Sequence, residues 1–290
     1  MKHFLFKVFK KPFKFFSGYG LTKFYPMSVI WPKVYRKIVA NMHPNLVDVQ
    51  GHKMFLDSYD SLGLSMNDVY EPIETSIVNQ YVKKGDVVLD IGANIGYYTL
   101  LFARLVGDEG KVYAFEPEPD NFELLKKNIE INKYENVVLI PKAVSDKVGK
   151  IRLYLSGNNK GDNRIFDSQD NRLYIDVEMT TLNDYFRDYK GKVDFVKMDI
   201  QGAEGRAVRG MTNLLSNNRQ AKIISEFWPG GLDRAGTKPE EYLKTLESFG
   251  FKLNIIDEEQ LKITPIEADE LINIHKRHEE WNLFCVRNSA

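Results

Sequence analysis

Short apolar segments and amphipathic segments alternate along most of the chain. Runs such as Val137–Pro141 have the length and composition of buried strands, whereas stretches such as Asp120–Asn132 carry apolar residues at helical spacing. Because strand-like and helix-like segments follow each other in turn, we predict an α/β fold with a parallel sheet and helices on both faces.

The periodicities and the turn residues between them place the individual elements. The predicted strands of the main sheet are 87–90, 111–116, 137–141, 193–198, 221–227, 251–256 and 281–286. The predicted helices are 72–82, 120–132, 182–189, 203–215 and 240–249, with a further helix beginning near Tyr98. Pro72 suits the first turn of its helix, Thr181 suits a helix cap, and Trp228–Gly231 is predicted to be a loop.

Two regions depart from this alternation and define the predicted domain organisation. Residues 1–45 form a basic, aromatic N-terminal extension, and residues 46–290 form the main domain. Within the main domain we predict a hairpin at 46–57 and an insertion at about 150–180 that adds two strands around a polar loop. In residues 1–16, phenylalanines and lysines alternate, so this segment either lies on an anionic membrane surface or packs its rings on the main domain.

Charge and cysteine content narrow the class of protein. Forty basic and forty acidic residues give no net charge, which argues against a general nucleic-acid binder. Cys285 is the only cysteine, which excludes an internal disulfide and a cysteine-rich metal site. No apolar run approaches the roughly 20 residues of a membrane-spanning helix. We therefore expect a cytoplasmic protein, peripheral on the inner membrane surface if residues 1–16 bind lipid.

The residues from Val87 to Thr99 predict a strand, a glycine loop and the start of a helix. Gly92 and Gly96 lack the Cβ atoms that would keep a ligand from the backbone, and the helix offers unpaired N–H groups. Dinucleotides and S-adenosylmethionine both bind such loops, but the glycine spacing of a dinucleotide fingerprint is missing and Asp90 ends the strand. Glu116, which ends the second strand, suits the ribose hydroxyls of either ligand.

Several motifs in a defined order carry a family resemblance. They are Asp90–Gly96 with the sequence DIGANIG, Phe115–Pro117 with Asn121, Leu125 and Asn128 behind it, Ala143–Ser145, Thr181–Asp184, and Lys197–Glu204 with the sequence KMDIQGAE. Together they resemble the class I S-adenosylmethionine-dependent methyltransferases, and among them the FkbM family, over roughly residues 70–230. This family usually has Glu where Gln201 stands, so we expect hydrogen bonding from this position rather than a charge.

The resemblance implies a Rossmann-like sheet of seven strands whose last strand is antiparallel. S-adenosyl-L-methionine would bind at the carboxyl ends of the first two strands, with S-adenosyl-L-homocysteine as the product. Glu116 would hold the ribose, Asp90 would support the loop or reach the amino group through water, and the backbone of Gly92–Gly96 would pass the methionine part. The cofactor residues implied in this way are Glu71, Thr75, Asp90, Gly92, Ala93, Asn94, Gly96, Glu116, Pro117, Ala143 and Ser145.

Within that set, the resemblance places two pairs at opposite ends of the cofactor. Ala143 and Ser145 would bracket the adenine, and Glu71 and Thr75 would close over the methionine end. Each of these residues also has a simpler interpretation as a turn or capping residue.

Three carboxylates are expected to converge where the chemistry takes place. Asp199 follows the fourth strand, Glu204 lies one turn into the next helix, and Glu226 ends the fifth strand. Crowding would raise at least one pKa toward that of a useful base. We predict a metal-free general base, Asp199 or Glu204, in preference to an oxygen-ligand site for Mg²⁺ or Ca²⁺. The alternative is structural: Glu204 caps its helix and Glu226 pairs with an arginine such as Arg234.

The acceptor is expected to be a hydroxyl compound. The segment Asp199–Gly202 lacks the Pro-Pro-aromatic sequence that follows the fourth strand in many nitrogen methyltransferases. Asn158, Arg164, Glu226 and Trp228 are predicted to hold a sugar, glycolipid or secondary metabolite. Two other classes stay open: a non-catalytic membrane-associated protein that retains the fold, and a nicotinamide-dependent oxidoreductase.

Overall fold

The computed structural model describes residues 44–157, 159–274 and 280–287. Two predictions therefore lie outside the described residues: the membrane-surface segment at residues 1–16 and the acceptor contact at Asn158.

The described part of the chain consists of alternating strands and helices. Its strands are β1 (Leu46–Val49), β2 (His52–Phe55), β3 (Val87–Ile91), β4 (Lys111–Phe115), β5 (Val137–Ile140), β6 (Ala143–Val144), β7 (Gly149–Tyr154), β8 (Tyr174–Thr180), β9 (Phe195–Met198), β10 (Lys222–Phe227), β11 (Lys252–Asp257), β12 (Lys262–Ile266) and β13 (Trp281–Val286). Its helices are α1 (Pro72–Tyr81), α2 (Tyr97–Val106), α3 (Pro119–Ile131), α4 (Leu182–Tyr185), α5 (Glu204–Arg209), α6 (Thr212–Asn217), α7 (Pro229–Arg234), α8 (Pro239–Ser248) and α9 (Ala268–Ile274).

The main sheet has the strand order β12-β11-β13-β10-β9-β3-β4-β5. Strands β10, β9, β3, β4 and β5 are parallel, and β13 runs antiparallel between β10 and β11. The predicted α/β fold with an antiparallel last strand is therefore confirmed. The predicted count of seven strands is wrong, because β12 adds an eighth strand at the edge beside β11.

The edge strand β12 escaped prediction for a physical reason. Only Ile266 of its five residues is buried, so the strand has no apolar run or alternation that would indicate it. It also contains Pro265, which faces Asn254 of β11. Proline is tolerated on an edge strand because the missing N–H group costs no ladder bond on the open side.

Both faces of the main sheet are covered by helices. One face packs β-strand side chains such as Leu89 and Val196 against α5, α6 and α8, including Leu215 and Leu243. The other face packs against α1, α2 and α3, with Phe102 fully buried among them. Because the central strands are covered on both sides, function is confined to their ends, where loops leave the sheet.

Three predictions about helices need correction. The predicted helix at 182–189 is only Leu182–Tyr185. The predicted helix at 203–215 is divided at Gly210 and Met211 into α5 and α6, and Gly210 packs so closely that an added Cβ would lie 2.0 Å from the carbonyl oxygen of Ser145. The predicted loop after Trp228 is instead the short helix α7, which has Pro229 at its first position and whose Leu232 N–H donates to the Trp228 carbonyl.

The insertion forms a separate three-stranded sheet in the order β6-β8-β7. Strands β7 and β8 pair antiparallel from Gly149 opposite Met179 to Tyr154 opposite Tyr174. The connection between these two strands passes over the carboxyl edge of the main sheet, where Asn121 of α3 donates to the carbonyl oxygen of Lys160 at 2.9 Å.

Candidate active site

Two cavities lie side by side at the carboxyl edge of the main sheet. The large cavity has a volume of about 860 Å³ and the small cavity one of about 60 Å³. They share the lining residues Gly92, Asn94, Gly161, Asp199 and Gln201. A ligand that fills the small cavity would therefore continue past the glycine loop into the large one.

The glycine loop connects β3 to α2. Gly92 has a φ of +85°, and an added Cβ would lie 2.0 Å from the carbonyl oxygen of Asp199. Gly96 has a φ of +94°, and its added Cβ would lie 2.6 Å from Leu125. The sequence interpretation was that these glycines make room for a ligand, but neighbouring protein atoms occupy that space. The glycines let the loop pack tightly against the end of β9 and against α3.

Glu116, directly after β4, lines the small cavity together with Pro117 and Ala143. Its carboxylate accepts hydrogen bonds from the backbone N–H groups of Asn94 at 2.8 Å and Glu118 at 2.9 Å. Burial raises the pKa of Glu116 to about 7, although these two N–H groups favour the ionised form. Each carboxylate oxygen keeps a lone pair for a further donor, which fits the two hydroxyls of a ribose.

Asp90 and Glu71 line the large cavity on the side of the glycine loop. Asp90 accepts a hydrogen bond from the Thr99 hydroxyl, and burial raises its pKa to about 6. Glu71 accepts from the Tyr98 hydroxyl at 2.9 Å and from the Asn282 amide at 3.4 Å. Burial, followed by the charge of a neighbouring glutamate, raises the pKa of Glu71 to about 8. Both carboxyls are therefore held in place by side chains of the protein.

Helix α1 is fixed at its N-terminus by a carboxylate from the other end of the domain. Glu258, in the turn between β11 and β12, accepts hydrogen bonds from the backbone N–H groups of Ile73 at 3.0 Å and Glu74 at 2.8 Å. The preceding residue, Glu71, has a φ of +43°, a conformation that costs energy for a residue with a side chain. The capping carboxylate thus holds α1 and the strained residue before it against the large cavity.

A buried ion pair lies beneath the large cavity. The Lys197 ammonium on β9 lies 3.1 Å from the Glu74 carboxylate and 3.7 Å from that of Asp199, and it faces the Tyr98 ring at 4.4 Å. Burial alone would lower the pKa of Lys197, but the carboxylates of Glu74 and Asp199 raise it well above its ordinary value. Lys197 is therefore a permanent cation and not a proton acceptor. Lys197 begins the KMDIQGAE motif, but no role was predicted for it, although a lysine within a buried strand was a signal.

Asp199 and Glu226 are joined through an amide. The Gln201 side-chain NH₂ donates to Asp199 Oδ1 at 3.1 Å and to Glu226 Oε1 at 2.9 Å. Burial, with the charge of Asp199 as the next contribution, raises the pKa of Glu226 well above its ordinary value. Gln201 has a φ of +53° and so holds its amide between the two acids at some conformational cost. All three residues line the large cavity.

Glu204 lies below this group rather than in it. Its side chain is fully buried, one carboxylate oxygen accepts a hydrogen bond from the Ile200 backbone N–H at 2.9 Å, and it is outside the described lining of both cavities. Burial raises its pKa to about 8. The position suits support of the loop after β9, not contact with an acceptor.

Other predicted site residues lie outside the described lining of both cavities: Thr75, Gly96, Ser145 and Trp228. The Thr75 hydroxyl donates to the Tyr70 carbonyl at 2.7 Å, and the Ser145 hydroxyl lies 3.3 Å from Asp146. The Trp228 ring is covered by the Arg164 guanidinium at 4.5 Å, so this face is not free to stack on a sugar. Arg164 itself lines the large cavity and pairs with Asp162 at 2.6 Å.

Several lining residues were not expected from the sequence. They are contributed by the segment before α1, by the β11–β12 turn and by the start of β13: Tyr70, Asp257, Glu258, Glu259, Glu280, Trp281 and Asn282. None of them belongs to a local motif, and long-range packing alone brings them together. Among the described residues, no group of three or more His, Cys, Asp and Glu side chains is arranged to hold a metal ion. Within the same residues, no helix has the length and apolar character needed to cross a membrane.

The sheet order, the glycine loop and the anchored carboxylate after the second parallel strand define a class I S-adenosylmethionine-dependent methyltransferase. The Methyltransferase FkbM domain family matches residues 90–253, which is more than half of the chain. The chain belongs to this family.

Individual relatives show how far the similarity extends. Methyltransferase sdnD of Sordaria araneosa is 27% identical over 181 residues, which are 50% of this chain and 68% of sdnD. The 2-O-methyltransferase NoeI of Sinorhizobium fredii is 27% identical over 164 residues, which are 51% of this chain and 66% of NoeI. A crystal structure of an FkbM methyltransferase from Methylobacillus flagellatus aligns with 12% identity and a TM-score of 0.41, over 78% of this chain and 53% of that one.

Proposed function

We propose that the chain transfers a methyl group from S-adenosylmethionine to a hydroxyl group of a small molecule, either a sugar, a glycolipid or a secondary metabolite. One observation carries the proposal: the Asp199 carboxylate lines both cavities at the point where they meet. A group that removes the acceptor proton has to lie between donor and acceptor. The similarity to a protein named 2-O-methyltransferase supports oxygen as the methylated atom.

Within this proposal, the small cavity and the glycine loop hold the cofactor. Glu116 binds the ribose hydroxyls, Pro117 and Ala143 border the adenine, and Asp90 and Glu71 border the methionine end. When bound, S-adenosylmethionine supplies a methyl group on a positively charged sulfur. The carboxylates around the large cavity favour a ligand with positive charge.

Residues at the carboxyl ends of β9 and β10 carry out the proton chemistry and hold the acceptor. Asp199 accepts the hydroxyl proton, which makes the acceptor oxygen a better nucleophile. Gln201 holds the Asp199 carboxylate in position and links it to Glu226, which contacts the acceptor. Glu204 supports the loop. We propose this route without a metal ion, and it is tested by adding a chelator: full activity is expected, and loss of activity restored by Mg²⁺ would contradict it.

The methyl donor and the reaction are tested in two steps. Calorimetric titration should detect binding of S-adenosylhomocysteine and no binding of NAD; the opposite result would favour an oxidoreductase. Incubation with S-adenosylmethionine carrying a deuterated methyl group and a panel of hydroxyl compounds should then yield labelled methyl ethers by mass spectrometry. A label found only on nitrogen or carbon would contradict O-methylation.

We also propose that residues 1–16 contact membranes. The alternation of phenylalanine and lysine in the sequence supports this role, and packing of the rings on the main domain is the alternative. Deletion of residues 1–16 should abolish sedimentation with anionic liposomes. Unchanged sedimentation would exclude the membrane role.

A further inference from the structure

The large cavity has an uneven charge. Among the described residues, nine acidic and two basic side chains line it. Both basic groups are already engaged, because Lys197 lies 3.1 Å from Glu74 and Arg164 lies 2.6 Å from Asp162. No described cation of the wall is therefore left over to neutralise an anionic ligand.

The acidity extends to the mouth of the large cavity. Glu259 and Glu280 are exposed there, and Asp257 is half-buried beside them. A phosphate group on a bound ligand would lie close to these three carboxylates where the ligand extends out of the cavity. Added salt would weaken the repulsion between the phosphate and the carboxylates.

Two buried polar atoms in the same wall lack a hydrogen-bond partner within the described residues. They are Oε2 of Glu226 and the indole nitrogen Nε1 of Trp281. Glu226 is only 7% exposed, and its other oxygen already accepts from Gln201 at 2.9 Å. Buried polar groups in folded proteins are almost always paired, so these two atoms indicate where a ligand supplies the missing partners.

The chemistry of the two atoms specifies the kind of partner. The indole N–H can only donate, so its partner must have a lone pair. The Glu226 carboxyl accepts when ionised and can also donate when protonated, and burial raises its pKa well above the ordinary value. Hydroxyl groups are suited to both atoms because each one donates and accepts.

We propose that the large cavity binds an uncharged glycosyl unit already joined to its carrier by a glycosidic bond, and selects against the same sugar as a phosphate ester. This inference rests on the proposed O-methylation, because the bound glycosyl unit is then the methyl acceptor. It places methylation after glycosyl transfer, the reaction that consumes sugar phosphates and nucleoside diphosphate sugars and produces glycosides.

Matched ligand pairs test the selection. Methyl glycosides and the corresponding glycosyl 1-phosphates of hexoses and 6-deoxyhexoses are titrated against the full chain loaded with S-adenosylhomocysteine. Saturation-transfer NMR measures their binding. We expect at least one glycoside to bind, with its phosphate binding about tenfold more weakly at low salt and the gap narrowing as salt is added. Equal or tighter binding of the phosphates, or no binding by any glycoside, would overturn the inference.

Two conservative variants test the subsite. Trp281→Phe removes the indole N–H and keeps an aromatic ring. Glu226→Gln replaces one carboxyl oxygen with an amide NH₂ group. Each should weaken glycoside binding several-fold to about tenfold and leave S-adenosylhomocysteine binding within about twofold. Glu240→Gln, at an exposed position of α8, is the matched control and should change neither. If Glu226→Gln does not fold, Trp281→Phe decides alone, and unchanged glycoside affinity would refute the subsite.

The result also separates this inference from the proposed function. Glycosides that bind without receiving a methyl group would support the subsite and contradict O-methylation. Methyl transfer to a hydroxyl of phosphorylated sugars would support O-methylation and contradict the selection against phosphates.

Discussion

In the small cavity, both oxygens of Glu116 accept hydrogen bonds from backbone N–H groups, whereas in the large cavity one oxygen of Glu226 has no partner among the described residues. The first carboxylate is held in place before any ligand arrives. The free oxygen of the Glu226 carboxylate would gain a hydrogen-bond partner only when a ligand binds. Part of the stabilisation of Glu226 would then come from the ligand. In the proposed function, the cofactor side would thus be pre-formed, and the acceptor would complete its own side.

The largest expected effect comes from the residue shared by both sides. Asp199→Asn keeps the shape and the contact with Gln201 but removes the proton acceptor, so kcat should fall about 10²–10⁴-fold. Binding of S-adenosylhomocysteine should stay within about threefold, because Asn occupies the same volume. Single-turnover kinetics and calorimetry measure the two quantities. Loss of cofactor binding with normal turnover would place Asp199 on the cofactor side alone.

The second prediction concerns the buried ion pair between Lys197 and Glu74 beneath the large cavity. It tests whether each of the two charges is stabilised by the other. Lys197→Met leaves the Glu74 carboxyl buried without its cation and should lower the free energy of unfolding by about 3–5 kcal/mol. The double variant Lys197→Met with Glu74→Gln should recover most of that loss, because no charge remains buried. Urea denaturation measures both. Equal stability of the single and double variants would show that the pair is not coupled.

Removal of the pre-formed carboxylate should affect cofactor affinity more than chemistry. Glu116→Ala deletes the proposed ribose contact and the anchor of the Asn94 N–H, so affinity for S-adenosylhomocysteine should fall about 10–100-fold. At saturating cofactor, kcat should change much less. Glu123→Ala, at an exposed position on the following helix α3, is the control for general effects. Unchanged affinity in Glu116→Ala would remove Glu116 from the cofactor site.

The last effect depends on pH and concerns Glu204, which is buried below the loop after β9. Glu204 has a pKa of about 8 in the folded chain against an ordinary value of 4.5. Above the ordinary value the unfolded chain releases this proton while the folded chain keeps it, so stability contributed by the protonated form is lost as the pH rises toward 8. Between pH 5 and pH 8, Glu204→Gln should reduce the slope of the free energy of unfolding against pH. The reduction corresponds to at most one proton, or about 1.4 kcal/mol per pH unit. An unchanged slope in urea titrations at several pH values would contradict this.

Local patterns were sufficient to predict the centre of the fold and to place Glu116 and Asp199 at the edge of the sheet where the two cavities lie. The strand, glycine loop and helix of Val87–Thr99 and the positions of Glu116 and Asp199 at strand ends are readable from spacing. These features depend on neighbours within a few residues or on the general rule that parallel strands present their carboxyl ends to one edge.

The features that sequence reasoning missed depend on contacts between distant residues. The Lys197–Glu74 pair joins β9 to α1, and the unpaired Trp281 nitrogen reaches the cavity from the last strand. Glu204 and Trp228 were predicted to face a ligand, but packing buries the first and covers the second with Arg164. Spacing indicates on which face of a helix or strand a side chain lies. It does not indicate which residues from distant parts of the chain pack against that side chain.

The contact between Glu258 and the start of α1 has a consequence for the modularity of this domain. It connects residues that lie 184 and 185 positions apart, one in the turn that leads into the extra edge strand and the other at the helix preceding the central sheet. A chimera that exchanges the edge hairpin with that of a relative would also exchange the cap of α1. A chimera should therefore keep its stability only when the incoming hairpin also carries a carboxylate that caps α1, although the hairpin looks like a detachable appendage.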